Sequence, residues 1–511
     1  MLQILSLIAL IATQAEAEGI SPTPPILTMD NLPSELDSLL QEPEVADAQI
    51  SLHVVRVSDG KVLYAKDENE LRVPASTIKL FTTAAALDEL GPDYRFKTEI
   101  YGPAPSAGII AGNIHLKGYG DPWLVPERFW YFANRLKYSG VTQIDGDIIV
   151  DESYFGGSAI AAGQEQDSSS SAYMAPAGAL SVGFNAVLVH ILPTVAGQPA
   201  RIAIEPSSDN ITVEGTVTTS ERTRTRLNVE VVEKDGKNVV KVEGYILQTD
   251  KPRGYWRRIH HPGLHAGSVF KAMLSSIGIK VQGDVLLGQL NPAPPATPQS
   301  SATPDGAEQA ALPEPMVSMT SPRLADLMEK VNKYSNNFMA GQLARALGAE
   351  VSGAPGSWDK GEEAIQKFLK ERVKVSAPLP VIKNASGLHD VNRVTSKHVT
   401  ELLCFMAREP KHEIEFLNSM AVAGGVGTLQ SRMQEGSANL VLRAKTGTLS
   451  IASALSGYVT TQSGELLAFS VLVNHFQQGI QPIWKMQDAI GEALSKVTAS
   501  SKKQAQLKHT N

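Results

Sequence analysis

Apolar and polar residues alternate in two short runs, 52–57 and 61–65, which flank Ser58-Asp59-Gly60. Alternation with a period of two is typical of β-strands, and a turn-forming triplet between two such runs predicts a hairpin. Pro74 then begins an apolar stretch that continues to Leu90 and is followed by a Gly-Pro pair. Proline at the start of an apolar run and Gly-Pro at its end predict a single helix.

The pattern changes between residues 109 and 285, where short β-rich segments are separated by Gly, Pro and Asp. Helical periodicity returns in 323–347 and 358–371. The remaining predicted elements are three strands at 440–446, 453–460 and 466–474 and a final helix at 482–497. Helices at both ends of the chain and a β-rich middle predict one domain that is interrupted by an insertion.

Composition narrows the classes of protein to consider. Hydrophobic residues make up 42% of the 511 residues, which is enough for folded cores, and the length suggests about three domains. The 46 basic and 53 acidic residues give a net charge of −7, which argues against a nucleic-acid-binding protein. The single cysteine, Cys404, excludes an intrachain disulfide and a cysteine-based zinc cluster. We predict no cofactor and no metal ion.

The first residues are typical of an export signal. Residues 2–12 form a short apolar run, and Ala15-Glu16-Ala17 has the small-residue spacing of a cleavage site. We therefore predict a signal peptide at 1–17 and an exported, periplasmic protein, with a buried N-terminal helix as the alternative. Because no apolar stretch has 18 residues, we expect at most a peripheral membrane contact.

The strongest chemical signal is Ser76-Thr77-Ile78-Lys79, just after Pro74. Residues three apart on a helix share a face, so the Ser76 hydroxyl and the Lys79 amine can meet. A neutral lysine amine can take the serine proton and produce an acylating nucleophile without histidine. A helix cap with a surface lysine is the alternative. Against it, the helix is apolar enough to be buried, and a buried lysine is costly unless it has a function.

Two weaker signals follow at a distance. In Lys445-Thr446-Gly447-Thr448, a cation ends the predicted strand 440–446, and the glycine allows another backbone to approach closely. An exposed strand lysine is the alternative. Ser335-Asn336-Asn337 lies in a helical stretch, where a polar helix face is the alternative. The frame is also ambiguous, because Tyr334 to Asn336 reads as Y-x-N.

The order S-x-x-K, S-x-N, K-T-G is the motif set of penicillin-binding proteins and serine β-lactamases. Ser335 lies 259 positions after Ser76, and a compact β-lactamase has no room for such an insertion. The sequence resembles the bacterial D-alanyl-D-alanine carboxypeptidase/endopeptidases of the penicillin-binding protein 4 type. The segments that carry the likeness include 74–87, 118–122, 146–151, 177–181, 278–283, 443–449 and 453–458.

The resemblance implies an α+β fold of the transpeptidase type, a helical cluster on an antiparallel sheet, with inserted β-rich domains. Together with the export signal, the Pro-, Ala- and Ser-rich stretch after residue 290 and the polar basic end, it divides the chain into a signal peptide (1–17), a first catalytic part (30–97), an inserted domain (98–189 and 271–290), an inner inserted domain (190–270), a linker (291–316), a second catalytic part (317–498) and a polar tail (499–511). It implies removal of the terminal D-alanine from peptidoglycan stem peptides, endopeptidase action on cross-links and covalent inhibition by β-lactams.

The resemblance also assigns roles and favours the Ser335 frame, because Asn332-Lys333 precedes the motif. The expected catalytic residues are Ser76 as nucleophile, Lys79 as general base, Ser335 as proton relay, Asn337 as orienting amide and Lys445 as carboxylate-binding cation. The expected substrate-binding residues are Thr446, Gly447, Thr448, Ser386 and Gly387. The fit is incomplete where Asn384 replaces a usual aspartate and Val426 precedes Gly427-Thr428.

Two rival functions remain open. A serine β-lactamase or esterase with the same motifs needs a group that activates the deacylating water, and Tyr334 is the visible candidate. A catalytically idle cell-wall-binding protein has no physical need for a buried lysine. Outside the motifs, residues 255–258 are interpreted as a partly buried loop, with a glycan contact as the alternative.

Overall fold

The computed structural model describes residues 26–165, 167–291 and 312–498. Its largest sheet is antiparallel and has six strands, which run across the sheet from residues 421–422 through 443–449, 452–460, 466–474 and 49–56 to 62–66. The first hairpin of the chain, β1 (Gln49–Arg56) and β2 (Val62–Lys66), lies beside β20 (Leu466–Asn474), so the two ends of the chain form one sheet. The predicted hairpin and the predicted adjacency of the last three strands are confirmed.

The helices are α1 (Leu32–Leu40), α2 (Lys79–Leu90), α3 (Pro126–Tyr138), α4 (Pro262–Ser276), α5 (Leu324–Tyr334), α6 (Asn337–Ser352), α7 (Trp358–Phe368), α8 (Ser396–Met406), α9 (Glu413–Asn418) and α10 (Ile480–Lys496). The other strands are β3 (Lys97–Tyr101), β4 (Ile109–Ile110), β5 (Ile114–Gly118), β6 (Gln143–Ile144), β7 (Ile148–Asp151), β8 (Ala186–Leu192), β9 (Arg201–Glu205), β10 (Ile211–Ser220), β11 (Arg226–Lys234), β12 (Lys237–Leu247), β13 (Arg253–Arg258), β14 (Lys280–Val281), β15 (Val285–Leu287), β16 (Val317–Thr320), β17 (Ala421–Val422), β18 (Arg443–Leu449) and β19 (Ala452–Thr460).

Both faces of the six-stranded sheet are covered. On one face, α2 packs among α5, α6, α7 and α8 in a large apolar core. On the other face, α1 and α10 bury residues such as Leu36 and Ile490 against the sheet. Strands buried on both faces read as continuous apolar runs, and β20 (LLAFSVLVN) is such a strand. No helix within the described ranges combines the length and apolar character needed to cross a bilayer.

The insertion between α2 and α5 contains two cores. In the first, α3 and α4 cover a five-stranded sheet, β15-β7-β5-β3-β16. In the second, the three-stranded sheets β13-β8-β9 and β10-β12-β11 bury valines and isoleucines between them. The boundary drawn at 189/190 passes through β8, and the boundary at 270/271 passes through α4. We therefore propose that the inner unit extends from Ala186, where β8 begins, to Ile259, the last residue of its own core.

Several sequence predictions are corrected here. The region 109–285 is not β-rich throughout, because α3 and α4 lie in it; in α3, Phe129, Phe132, Ala133 and Leu136 are buried at helical spacing. The helical stretch 323–347 is interrupted between α5 and α6. Strand β18 begins at Arg443, not at residue 440. Residues 253–258 form strand β13 and not a loop.

Three expectations concern residues that lie wholly or mostly outside the described ranges. These are the signal peptide at 1–17, the greater part of the linker at 291–316 and the polar tail at 499–511.

Candidate active site

The segment that carries Ser76 is a tight turn leading into a buried helix. Ala75–Ile78 forms a 3-10 turn, and α2 begins at Lys79. Ala75 has a φ of 47°, a conformation that costs a non-glycine residue about 1–3 kcal/mol and clusters at functional sites. The turn leaves Ser76 partly exposed, whereas Lys79 is 0% exposed. The nucleophile therefore faces the cleft while its neighbouring amine stays away from water.

The Lys79 amine lies among three oxygen atoms. Its Nζ is 3.0 Å from Ser76 Oγ and 2.8 Å from Asn337 Oδ1, and it also donates to the carbonyl oxygen of Ser386. Burial, and secondly the charge of Lys445, holds the pKa of Lys79 well below its ordinary value of 10.5. A neutral amine has two N–H donors, which suit Asn337 and Ser386. Its lone pair then faces the Ser76 hydroxyl.

The second lysine reaches the cleft from the sheet. Lys445 lies in β18, is 0% exposed, and donates to Ser335 Oγ at 2.9 Å and to the Thr446 carbonyl oxygen at 2.6 Å. Ser335 stands between α5 and α6 with a φ of 59°, so the break between these helices presents its side chain to the lysine. Burial lowers the pKa of Lys445 to about 7.

Strand β18 lies directly against the nucleophile turn. A Cβ atom added at Gly447 would stand 2.9 Å from the Ser76 backbone nitrogen, so only glycine fits without a shift. Thr446 Oγ1 donates to Thr428 Oγ1 at 2.7 Å, and Thr448 is exposed at the edge of the cleft. The threonine after Val426-Gly427 is therefore part of the site, although this segment departs from the family pattern at Val426.

Ser386 and Gly387 also contact the segment that carries the nucleophile. Gly387 has a φ of 74°, and a Cβ atom there would lie 2.0 Å from the Ala75 carbonyl oxygen. Ser386 contacts Lys79 through its backbone carbonyl, whereas its hydroxyl donates to Asn384 Oδ1 at 2.7 Å. Asn384 Oδ1 also accepts from the Ser386 backbone N–H at 3.0 Å. The side chain of Asn384 thus fixes the carbonyl that holds the base.

A segment of the insertion, residues 154–165 and 167–181, forms one side of the site, and we call it the cleft wall. Asn337 Nδ2 donates to the Tyr173 carbonyl at 3.2 Å, and Asn384 Nδ2 donates to the Ala162 carbonyl at 3.0 Å. Gln342, Arg345 and Trp358 of the catalytic part also donate to wall carbonyls. An aspartate at position 384 cannot make the Ala162 bond, because a carboxylate has no donor.

The structure thus brings together all ten residues proposed from the sequence. Tyr334, the residue of the alternative frame, makes no hydrogen bond to Ser76 or Lys79 in the described part of the chain: it is 57% exposed, and its ring lies 5.9 Å from the Lys330 amine. Sequence reasoning missed the roles of Asn384, Thr428 and the wall carbonyls. The only signal for Asn384 was its departure from the family pattern. Within the described ranges, no three His, Cys, Asp or Glu side chains group as metal ligands would.

The site combines a cleft-facing serine with a buried lysine, a second serine at a helix break and a second lysine on the strand beside the nucleophile. On a sheet with helices on both faces, this arrangement defines a serine acyl-transfer enzyme of the penicillin-binding type. The chain belongs to the D-Ala-D-Ala carboxypeptidase 3 (S13) family, whose model matches residues 32–496. It is therefore a serine-type D-Ala-D-Ala carboxypeptidase. The resemblance inferred from the sequence, the fold class and the enzyme class are confirmed.

Individual relatives agree with the family assignment. The chain is 32% identical over 485 residues to a D-alanyl-D-alanine carboxypeptidase of Actinomadura sp. (strain R39), covering 91% of this chain and 85% of the relative. It is 24% identical to the carboxypeptidase DacB of Haemophilus influenzae, covering 83% and 85%. The crystal structure of penicillin binding protein 4 from H. influenzae has the same fold, with a TM-score of 0.74 at 23% identity over 89% of this chain and 97% of that one.

Proposed function

We propose that the protein removes the terminal D-alanine from peptidoglycan stem peptides, and also cleaves D-alanyl cross-links between them as an endopeptidase. The observation that carries the proposal is the position of the buried Lys79 amine, 3.0 Å from Ser76 Oγ and 2.8 Å from Asn337 Oδ1. A general base must be within hydrogen-bond reach of the proton that it removes, and Lys79 is.

In the acylation step, neutral Lys79 takes the Ser76 proton while Ser76 Oγ attacks the carbonyl carbon of the penultimate D-alanine. The backbone N–H groups of Ser76 and Thr448 are the candidates to stabilise the oxyanion. The C–N bond then breaks, and the leaving D-alanine nitrogen receives a proton through Ser335. Water hydrolyses the resulting ester, releases the shortened peptide and restores the Ser76 hydroxyl.

The carboxylate of the terminal D-alanine is proposed to bind Lys445 and the hydroxyls of Thr446 and Thr448. The bond between Lys445 Nζ and Ser335 Oγ supports this, because it joins the carboxylate site to the proton relay. An opposite charge beside Lys445 raises its pKa above the value of about 7 in the free protein. Substrate binding therefore shifts Lys445 toward its cationic form, which in turn favours a neutral Lys79.

The two rival functions are less well supported. Tyr334, the base needed by a β-lactamase, is exposed and is not among the hydrogen-bond partners of Ser76 or Lys79. A catalytically idle protein does not explain two fully buried lysines, each of which burial holds below its ordinary pKa. Both lysines cost stability, and an active site gives a reason for them.

We also propose that β-lactams acylate Ser76. The support is that the H. influenzae penicillin binding protein 4 fold has been solved in complex with a β-lactam, at a TM-score of 0.72. Peptidoglycan lies outside the cytoplasmic membrane, so an enzyme that acts on it must be exported. The signal-like residues 1–17 support a periplasmic location.

The test combines two measurements on the full-length protein. With penicillin, intact-mass spectrometry should show one long-lived penicilloyl adduct, absent in Ser76→Ala. With a synthetic pentapeptide ending in D-Ala-D-Ala, free D-alanine should appear, whereas the matched peptide ending in L-alanine should be inert. Rapid penicillin turnover with no adduct would favour the β-lactamase, and no adduct with no D-alanine release would favour the idle protein.

A further inference from the structure

A second concave surface lies against the Ser335–Asn337 turn. This groove has a volume of about 400 Å³, within the range of small-molecule sites. It is formed where the end of α5 and the start of α6 meet the insertion. The residues that line it are Ala172, Tyr173, Gly183, Phe184, Ala186, Trp256, Tyr334, Ser335, Asn336, Asn337 and Phe338.

None of these side chains carries a charge. The groove combines aromatic rings with amides and hydroxyls, in a chain in which 19% of residues are Asp, Glu, Lys or Arg. A site for a nucleotide or another phosphorylated ligand would need cations. A site for a carboxylate-bearing peptide segment would also need cations. The lining therefore suits a neutral, polar ligand with apolar faces.

Three exposed aromatic rings line this one groove. Tyr173, Trp256 and Tyr334 are 51%, 53% and 57% exposed, and they come from three separate elements: a short 3-10 turn, β13 and α5. Exposed aromatic residues that gather in one concavity mark a binding surface. The faces of Tyr and Trp offer an apolar plane with a polar edge.

The platform under Trp256 is well supported. Trp256 pairs with Leu188 in the β13-β8 ladder. On its C-terminal side, Arg257 Nε donates to the Val229 carbonyl at 2.6 Å, and the Arg258 N–H donates to the Ser170 carbonyl at 2.8 Å. The ring is thus presented by a strand that is hydrogen-bonded on both sides, and little ordering is needed when a ligand binds.

The groove shares its wall with the catalytic cleft. Ser335 accepts a hydrogen bond from Lys445, and Asn337 accepts one from Lys79, yet both residues also line the groove. A ligand in the groove is therefore a direct neighbour of a peptide in the cleft. The ligand must be neutral and polar with apolar faces, and it must lie beside the peptide. A group that is covalently joined to the peptide meets both conditions.

Resting on the proposed function, we propose that the groove binds the N-acetylated amino sugars of the glycan to which the stem peptide is attached. These sugars are uncharged when the peptide occupies the lactyl carboxyl group. Their C–H faces can stack on Trp256 and Tyr334, and their acetamido and hydroxyl groups can pair with the side-chain amide of Asn336. The protein would then prefer peptides on glycan over free peptides.

The test compares two substrates with one peptide: disaccharide pentapeptide, carrying both N-acetylated sugars, and the free pentapeptide. In the wild-type protein we expect a kcat/KM about tenfold higher for the disaccharide form. Trp256→Ala should bring this ratio close to one and leave the value for the free pentapeptide unchanged. The matched control is Trp130→Ala, since Trp130 is 50% exposed on α3 and does not line the groove; it should preserve the ratio.

The outcomes are separable. Penicillin labelling counts folded active sites in each variant, and Trp256→Phe, which keeps an aromatic face, should retain most of the preference. A wild-type ratio near one, or a ratio that Trp256→Ala does not lower, overturns the sugar site. Failure of the wild-type protein to release D-alanine from either substrate overturns the proposed function instead.

Discussion

Replacement of Lys445 by Gln tests the electrical coupling between the two buried lysines. The change removes a cation from the neighbourhood of Lys79 and keeps a side chain of similar length. The pKa of Lys79 is lowered first by burial and second by Lys445. Without the second cause, the pKa of Lys79 rises. Since Lys79 acts as a base only when neutral, the acidic limb of the acylation-rate profile should move to higher pH.

The size of the shift follows from Coulomb's law. Two unit charges about 5 Å apart at an effective dielectric constant of about 20 interact by about 3 kcal/mol, or about two pKa units. Lys445 itself has a pKa of about 7, so it carries its full charge only below neutral pH. The coupling is therefore strongest on the acidic limb, and we expect a displacement of about one to two pH units.

The assay is the second-order rate of acylation by a fluorescent penicillin, measured by stopped flow from pH 4 to pH 10. Lys445→Gln should also lower the rate at every pH, because the penicillin carboxylate loses its cation. Ser335→Ala is the matched control: it removes the partner of Lys445 without removing a charge, so the rate should fall and the limb should stay. If the limb of Lys445→Gln stays as well, burial alone sets the pKa of Lys79, and the coupling is wrong.

Three further predictions follow from the same contacts. Asn384→Asp should lower the free energy of unfolding by about 1–3 kcal/mol, because a carboxylate would face the Ala162 carbonyl; urea denaturation equal to wild type would contradict this. Lys445→Met should raise the melting temperature at pH 6 but not at pH 10.5. The pKa of Lys445 is about 7 in the folded protein and higher in the unfolded chain, so burying the charged amine lowers stability fully below pH 7 and not at all above about pH 10.5. An equal gain in melting temperature at both pH values refutes this. Arg345→Met should make the cleft wall sensitive to limited proteolysis, since it deletes bonds to the Ala177 and Gly156 carbonyls; an unchanged digestion pattern counts against this role.

The parts of the fold that could be predicted are those in which local pattern and burial agree. Strand β20 was predicted with its observed ends, because it is a continuous apolar run between polar residues. The helices α3 and α4 were missed. The α4 segment contains a proline and two glycines, which favour turns, and its helix depends on burial against β7 and β15. Tertiary packing there overrides the local preference.

The site was predictable as a set of motifs and not as a geometry. The S-x-x-K and K-T-G residues carry their own chemistry, so their side chains could be named. The acceptor that Ser386 offers is a backbone carbonyl, which every residue has, so no residue type could reveal it. Ser335 was placed inside a continuous helix, although its left-handed conformation breaks that helix and turns its hydroxyl to Lys445.

The cleft wall shows why the motifs alone do not make the site. Burial is the main cause of the low pKa of Lys79, and the insertion packs against residues that hold its amine. Ala175 and Ala177 of the wall lie across a small cavity from Asn337 and Ser386. Both of these residues accept a hydrogen bond from Lys79. The wall is held there by donors from the catalytic side, Asn337 among them. A loosened wall admits water, raises the pKa of Lys79 and weakens the base, so the insertion takes part in the chemistry although it supplies no reacting side chain.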